Sequence, residues 1–170
     1  ASYNGATVTG GSLTLLSNGA QSFSIPAAPA AGTSGTSTSG TGPVSTTVGS
    51  GADKLVLKIS QDAYQGDAQY TVSVDGKQVG GTLTAHATHG TAGYLVAGSS
   101  AQDDQLTVLG NFGAGAHTVS VNFLNDAYGN PVTATTDRNL YVDGATYNGA
   151  DVSGSKIALM SAGAQTVTVH

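Results

Sequence analysis

From Lys54 onward the chain alternates apolar and polar positions with a period of two. Lys54–Ser60 sets Leu55, Leu57 and Ile59 on one face, and Gln69–Val74, Gln105–Leu109 and His117–Phe123 repeat the pattern. This alternation predicts half-buried β-strands, because successive side chains of a strand point to opposite faces. Asp75-Gly76, between Gln69–Val74 and Lys77–Val79, is a two-residue hairpin signal. Gly81–Ala87 continues that arm, and Gly110–Gly115 reads as a glycine-rich turn. Asn139–Val142 and Ala145–Tyr147 lie around a second Asp-Gly, at Asp143-Gly144. No helical period survives over a useful window. Many short strands with closely spaced turn signals predict an all-β fold, a jelly-roll β-sandwich with short flanking β segments.

The two ends of the chain repeat each other. Ser2–Leu13 parallels Thr146–Ile157 without a gap, and Ser17, Gly19, Ala20 and Gln21 align with Ser161, Gly163, Ala164 and Gln165, at a constant offset of 144 residues. A fixed offset between diverged copies is the mark of a tandem array, so the sequence reads as a portion of a longer repeat protein. Pro26–Val48 is a Pro/Ala/Gly/Ser/Thr tract with almost no apolar side chains, a composition that gains too little burial to offset ordering entropy. The expected organisation is an end segment of one repeat (1–25), a linker (26–48), a β-sandwich (49–149) and the start of the next repeat (150–170).

Composition sharpens this picture. There is no Cys, so neither a disulfide framework nor a Cys-based zinc site is available. All ten acids are Asp, Arg138 is the single Arg, and the net charge is −5. Nucleic acid is a poor partner for such a chain, since phosphate binding needs clustered Lys and Arg. No apolar run approaches the roughly 20 residues a membrane-spanning helix requires. Low Lys with abundant Gly, Ser and Thr resembles secreted bacterial β-proteins.

Two segments concentrate oxygen ligands and aromatics. In the first, Ser60–Gln69, Asp62 and Asp67 stand five residues apart with Gly66 between them. Such a loop can fold around one hard cation, since calcium takes six to eight oxygens from carboxylates, amides and carbonyls; it can equally be a solvated Asp-rich turn. Gly66 permits a tight turn that aims a carbonyl inward. The second runs from Asn122 to Asn130 and on to Asp137–Asp143, and supplies Asn125, Asp126, Asp137 and Asn139. Arg138 is expected to pin this loop through an ion pair. Tyr70 and Tyr141 sit in strand patterns and read as packing residues.

Gln61–Val72 with Val74–Gly81, Gly115–Val119, Asn122–Gly129 and Thr136–Gly144 occur in the order found in family 60 carbohydrate-binding modules, and the chain resembles that family over roughly 49–149. The resemblance implies a jelly-roll sandwich related by circular permutation to family 36. It further implies binding of xylan, and in some members galactan or cellulose, through a calcium ion that coordinates vicinal sugar hydroxyls. By position, Asp62 and Asp67 would be ligands of that calcium. Gln61 and Gly66 are further metal candidates in the first loop, and Asp126 and Asp137 are expected to share this ion, to hold a second, structural one, or to brace the first loop. Gln61 stands where an acid is common and Tyr64 where Trp is common. Tyr64, Gln65, His89, Tyr94 and Tyr128 are the candidates for contact with sugar.

The expected function is therefore non-catalytic, calcium-dependent binding of a xylan-like or galactan-like polysaccharide by a secreted module flanked by neighbouring repeats. No Gly-x-Ser-x-Gly elbow is present, and the Asp pairs suit a metal better than the acid and second carboxylate of a glycosidase. The alternative is a calcium-stiffened tandem spacer domain of a large surface adhesin.

Overall fold

The computed structural model describes residues 2–3, 6–7, 42–90, 97 and 102–170. The chain divides into two units, 1–30 and 31–170. In the first, β1 (Ser2–Tyr3) and β2 (Ala6–Thr7) pair antiparallel, Ser2 opposite Thr7 and Tyr3 opposite Ala6. Tyr94, most of the 26–48 tract and the second alternating run of the N-terminal copy lie outside the described residues.

The second unit is a β-sandwich. Its strands are β3 (Ser45–Gly49), β4 (Asp53–Asp62), β5 (Gln69–Val74), β6 (Lys77–Thr84), β7 (Asp104–Gly110), β8 (His117–Phe123), β9 (Ala127–Tyr128), β10 (Asp137–Tyr147), β11 (Ala150–Asp151), β12 (Ile157–Leu159) and β13 (Gly163–Val169). One sheet runs β11-β10-β4-β7-β3, with β12 and β9 also paired to β10; the other runs β13-β8-β5-β6. All pairings are antiparallel except β3 with β7. The inward faces meet in one core, with Leu55, Leu57, Ile59, Leu140 and Val142 from the first sheet and Val72, Val119, Val121 and Phe123 from the second. No helix occurs among the described residues.

Three details differ from the sequence expectation. The sandwich extends beyond 49–149 on both sides. Val48 of β3 is buried and covers the backbone of Gly80, where an added Cβ would lie 2.9 Å from a Val48 methyl. At the other end, β13 forms an edge of the second sheet and buries Val167 and Val169, so 150–170 completes this module. Third, Asp143-Gly144 is not a turn. β10 runs through it with a register shift between Val142 and Gly144, and both flanks pair with β4. The extra residue is a bulge, and it turns the Asp143 carboxylate onto Ser60 of the neighbouring strand. The Asp75-Gly76 turn forms as expected, with φ of 50° and 77° as a type I′ hairpin demands.

Candidate functional site

The end of β4 and the start of β10 lie side by side, with Asp62 opposite Asn139 and Ser60 opposite Tyr141. Strand alternation then sorts the side chains onto two faces. Gln61, Arg138 and Leu140 share the face that continues into the core. Ser60, Asp62, Asp137, Asn139 and Tyr141 share the other, and Asp143 joins them through the bulge.

On the core-side face Gln61 is buried and fully used. Its Nε2 donates to Asp67 Oδ1 at 2.9 Å and to the Ala85 carbonyl at 2.7 Å, and its Oε1 accepts from the Ala68 N–H at 2.6 Å. An uncharged amide at this position can donate to a carboxylate and accept from the backbone at once, which an ionised acid cannot do. Gln61 therefore braces the first loop from inside. Arg138, also buried, donates to three backbone carbonyls: Nε to Gly66 at 3.0 Å, Nη2 to Tyr64 and Nη1 to Asn125. The expected bracing role stands, but among the described residues its partners are carbonyls of both loops rather than a carboxylate. The Gly66 carbonyl, expected to face a metal, is engaged by this guanidinium. Gln65 and Gly66 both adopt positive φ, 52° and 118°, which makes the turn tight enough for Arg138 to reach it. Asn125 completes the staple: its Oδ1 accepts from Gln69 N–H at 2.7 Å and its Nδ2 donates to the Asp67 carbonyl at 3.0 Å.

On the other face Asp62 Oδ2 accepts from the Tyr141 hydroxyl at 2.6 Å and, more weakly, from Asn139 Nδ2 at 3.4 Å. The same Nδ2 donates to Asp137 Oδ2 at 3.0 Å. Both hydrogen-bond partners of the Asn139 amide nitrogen are thus carboxylates, and its Oδ1 is buried without a hydrogen-bond partner. Asp126 Oδ1 is likewise buried and unpartnered. Burial first, then repulsion from Asp137, raises the Asp126 carboxyl above the ordinary carboxylate range, against the pull of the Ala127 N–H and Arg138. Buried oxygens without donors are uncommon in native proteins and point to a missing partner. The donor set here is all oxygen, which suits a hard cation such as calcium. Two carboxylates, Asp126 and Asp137, with the Asn139 amide and Asp62 alongside, fit that ion. Among the described residues no three Asp or His side chains converge tightly enough to hold a metal by themselves; an ion there would also need amide and external oxygens. Asp67, tied to Gln61, shares no described hydrogen bond with Asp62.

The candidate sugar contacts separate in the same way. Tyr128 is 68% exposed, and it pairs through β9 with Asp137, so its ring stands beside the acidic cluster. Tyr64 is half-buried; its hydroxyl accepts from Gln65 Nε2 at 3.0 Å and lies against Gly129, where an added Cβ would come within 2.9 Å of it. His89 differs from the expectation. Its ring is buried, stacks on Tyr141 with centroids 3.7 Å apart, and lies 2.8 Å from the Ser60 hydroxyl, which donates to Asp143. The His89 N–H also donates to the Gln61 carbonyl at 2.7 Å, fixing this segment across β4. His89 therefore supports Tyr141, and through it Asp62, from beneath. The sequence reading missed Ser60, Tyr141 and Asp143 in this role; the signal was the run of polar groups at every second position of β10 from Asp137 to Asp143.

A groove of about 550 Å³, lined by Tyr147, Asp151, Val152, Thr168 and His170 among others, lies at the other end of β10. Ten residues of strand, roughly 30 Å, separate it from the acidic cluster. The chemistry gathers at the loop end, not in this groove.

Residues 54–161 match the family described as a Ca-dependent, xylan-binding carbohydrate-binding module, family 60. The match covers more than half of the chain, and the protein belongs to that family of non-catalytic binding modules. No curated protein and no solved structure matches it.

Proposed function

We propose that the module holds a calcium ion at the end of the β4–β10 pair and uses it to bind a neutral β-linked polysaccharide, xylan first and galactan second. The observation that carries this reading is the pair of buried, unpartnered oxygens, Asn139 Oδ1 and Asp126 Oδ1, set among Asp62 and Asp137 beside the exposed Tyr128. Asp126, Asp137 and Asn139 are the holders, Asp62 is aimed at them by Tyr141, and Asp67 lies at the rim, stapled by Gln61 and Asn125. When bound, calcium supplies coordination positions that two adjacent sugar hydroxyls can take in place of water. The protein does the rest: carboxylates neutralise the ion, Arg138 fixes the spacing of the two loops, and Tyr128 with Tyr64 offers ring surface to the apolar face of a sugar. Affinity is modest, because few rings cover each sugar and ordered waters must be displaced. Neighbouring modules, which the end repeats suggest, raise it through effective concentration. A secreted setting follows from the substrate class.

Calorimetric titration with xylo-oligosaccharides, with calcium and with excess chelator, tests this. Binding is expected with calcium and lost with chelator, and Asp126→Asn or Asn139→Ala is expected to weaken calcium binding at least tenfold while the fold persists. Binding that survives chelation sinks the mechanism. A folded, calcium-loaded module that binds no glycan would instead favour the spacer role.

A further inference from the structure

The loop that follows β9 holds an apolar tip out in water. It leaves from Tyr128, which pairs with Asp137, and returns to that same residue of β10, so both of its ends sit at the acidic cluster. Across its base the Gly129 N–H donates to the Thr136 carbonyl at 2.7 Å, and the Thr136 N–H donates to the Thr133 carbonyl at 3.0 Å. The Thr136 hydroxyl works in both directions: it donates to the Pro131 carbonyl at 2.8 Å and accepts from the Thr133 N–H at 2.9 Å. The Thr133 hydroxyl lies 2.9 Å from it. Side chain and backbone thus brace the turn from within.

This bracing presents Val132. Residues 130–135 are all exposed, with Val132 at 53%. Tyr128, at 68%, and Val132 are the two most exposed large apolar side chains among the described residues, and both stand on this one arm. Turns ordinarily favour Gly, Asn, Asp and Ser, which water solvates and which bend easily. Residues 127–136 also carry no charge, although Asp126 and Asp137 bound them. Two exposed apolar side chains on a stiff, uncharged arm mark a contact with a neutral partner that has apolar faces between polar edges. A sugar ring has that make-up. Val132 is three residues beyond Gly129, so its Cα lies within about 11 Å of the base of the loop. A sugar chain held at the cluster therefore reaches the tip with a neighbouring unit.

We propose that Pro131 and Val132 form a second sugar subsite, which covers the apolar face of a residue flanking the one bound through calcium. The subsite rests on calcium-dependent glycan binding as proposed above and adds to it a selection by length: the module prefers at least two linked sugars to a single one. Thr136 is a positioning residue, holding the tip without touching sugar. Because the tip is braced before ligand arrives, covering it costs little ordering entropy.

Calorimetric titration of the calcium-loaded full chain with xylose, xylobiose and xylotriose tests this. The parent is expected to bind the longer sugars about fivefold more tightly than xylose, the gain from covering an exposed valine. Val132→Ser is expected to lose that gain while keeping the parent's Tm, calcium affinity and xylose affinity. Thr136→Val, which frees the tip, is expected to lose part of the gain, and Thr136→Ser to restore it. A parent that binds all three lengths equally, or a Val132→Ser chain that keeps the parent's gain, would overturn the subsite and leave the metal reading intact. Binding that ignores calcium, or no binding at any length, would bring down that reading and the subsite with it. Val132-dependent dimerisation, or pelleting with phosphatidylcholine vesicles, beside an unaltered sugar series would assign the tip to another partner and overturn the subsite as well.

Discussion

Arg138 shows how one side chain can set the geometry of a site it need not touch. A buried guanidinium has five donors to satisfy, and here they serve the carbonyls of Tyr64, Gly66 and Asn125. Arg138→Ala would leave these carbonyls short of donors in a partly buried place, at a cost of about 2–4 kcal/mol. Urea unfolding should show that loss, and calcium affinity should fall as well, because the two loops lose their common tie. Arg138→Lys should rescue little, since an ammonium lacks the planar fork that spans three acceptors. An unchanged unfolding midpoint in Arg138→Ala would contradict the clamp. The sequence marked Arg138 as a brace because it is the lone Arg in an acidic segment. Its partners were not legible, since they are backbone carbonyls, two of them 72 and 74 residues away, that carry no side-chain signal. Gln61 was hidden differently: it looked like a defective metal ligand, whereas its amide bonds the loop from the core side. Gly129 is a sharper local test. Gly129→Ala would place a Cβ 2.9 Å from the Tyr64 hydroxyl and 3.1 Å from Thr136 Cβ. It should displace the Tyr64 ring and weaken glycan binding with little change in calcium binding, measured by parallel titrations.

At the level of elements, period-two alternation located β4, β5, β7 and β8, each of which has one face in the core and a more exposed opposite face. β10 escapes that rule at its N-terminal end, where both faces are buried from Asp137 to Asp143. Of its outward polar groups, Tyr141 stacks on His89 and Asp143 lies beside it, while Asp137 bonds Asn139, so hydropathy alone could not distinguish a stripe of function from a turn. The Asp-Gly at Asp143-Gly144 misled for the same reason: two residues that favour a hairpin also suit a bulge, and long-range pairing with β4 decided between them. The parallel strand β3 lay at the end of a low-complexity tract, and its pairing with β7 and the packing of Val48 on Gly80 reveal it. Its connection to β4 depends on glycine. Gly51 has φ of 152°, and an added Cβ would fall 2.0 Å from the Gly110 carbonyl group. Gly51→Ala must therefore push backbone apart from backbone, and a destabilisation of about 2–3 kcal/mol is expected. An unchanged melting temperature would mean that the β3–β4 turn can relax away from β7 without loss.

Across the whole molecule, β10 separates two ends with different physical chemistry. The loop end gathers the acidic cluster and the exposed Tyr128. The other end carries a titratable network of its own, in which His117 contacts Asp75 at 2.8 Å and the Gly113 carbonyl at 3.2 Å. Asp53 also faces it, and the Tyr147 ring stands edge-on at 6.0 Å. The Asp75 hydrogen bond, then the Gly113 carbonyl, raise the His117 imidazole above its ordinary 6.5. Asp75 is lowered from 3.8 first by the Thr118 N–H and then by His117, and Asp53 is lowered by Asn148 and the Phe112 N–H. Linkage fixes the signs. The raised His117 contributes stability that is whole below pH 6.5 and lost as pH rises through its folded value. The depressed Asp75 and Asp53 contribute stability that is whole above pH 3.8 and lost as pH falls through theirs. This end of the module is accordingly most stable between about pH 4 and 6.5. In His117→Asn the part of the decline above pH 6.5 that this pair causes should vanish, since no imidazole remains between Asp75 and the Gly113 carbonyl, while calcium-dependent glycan binding at neutral pH should stay at the parent level, because the pair lies a full strand length from the loop end. Thermal melts from pH 4 to 9, with glycan titrations at pH 7, read both effects at once. A pH profile of His117→Asn that keeps the parent's alkaline decline would remove the pair as its cause, and a loss of glycan affinity would show that the two ends are coupled through β10.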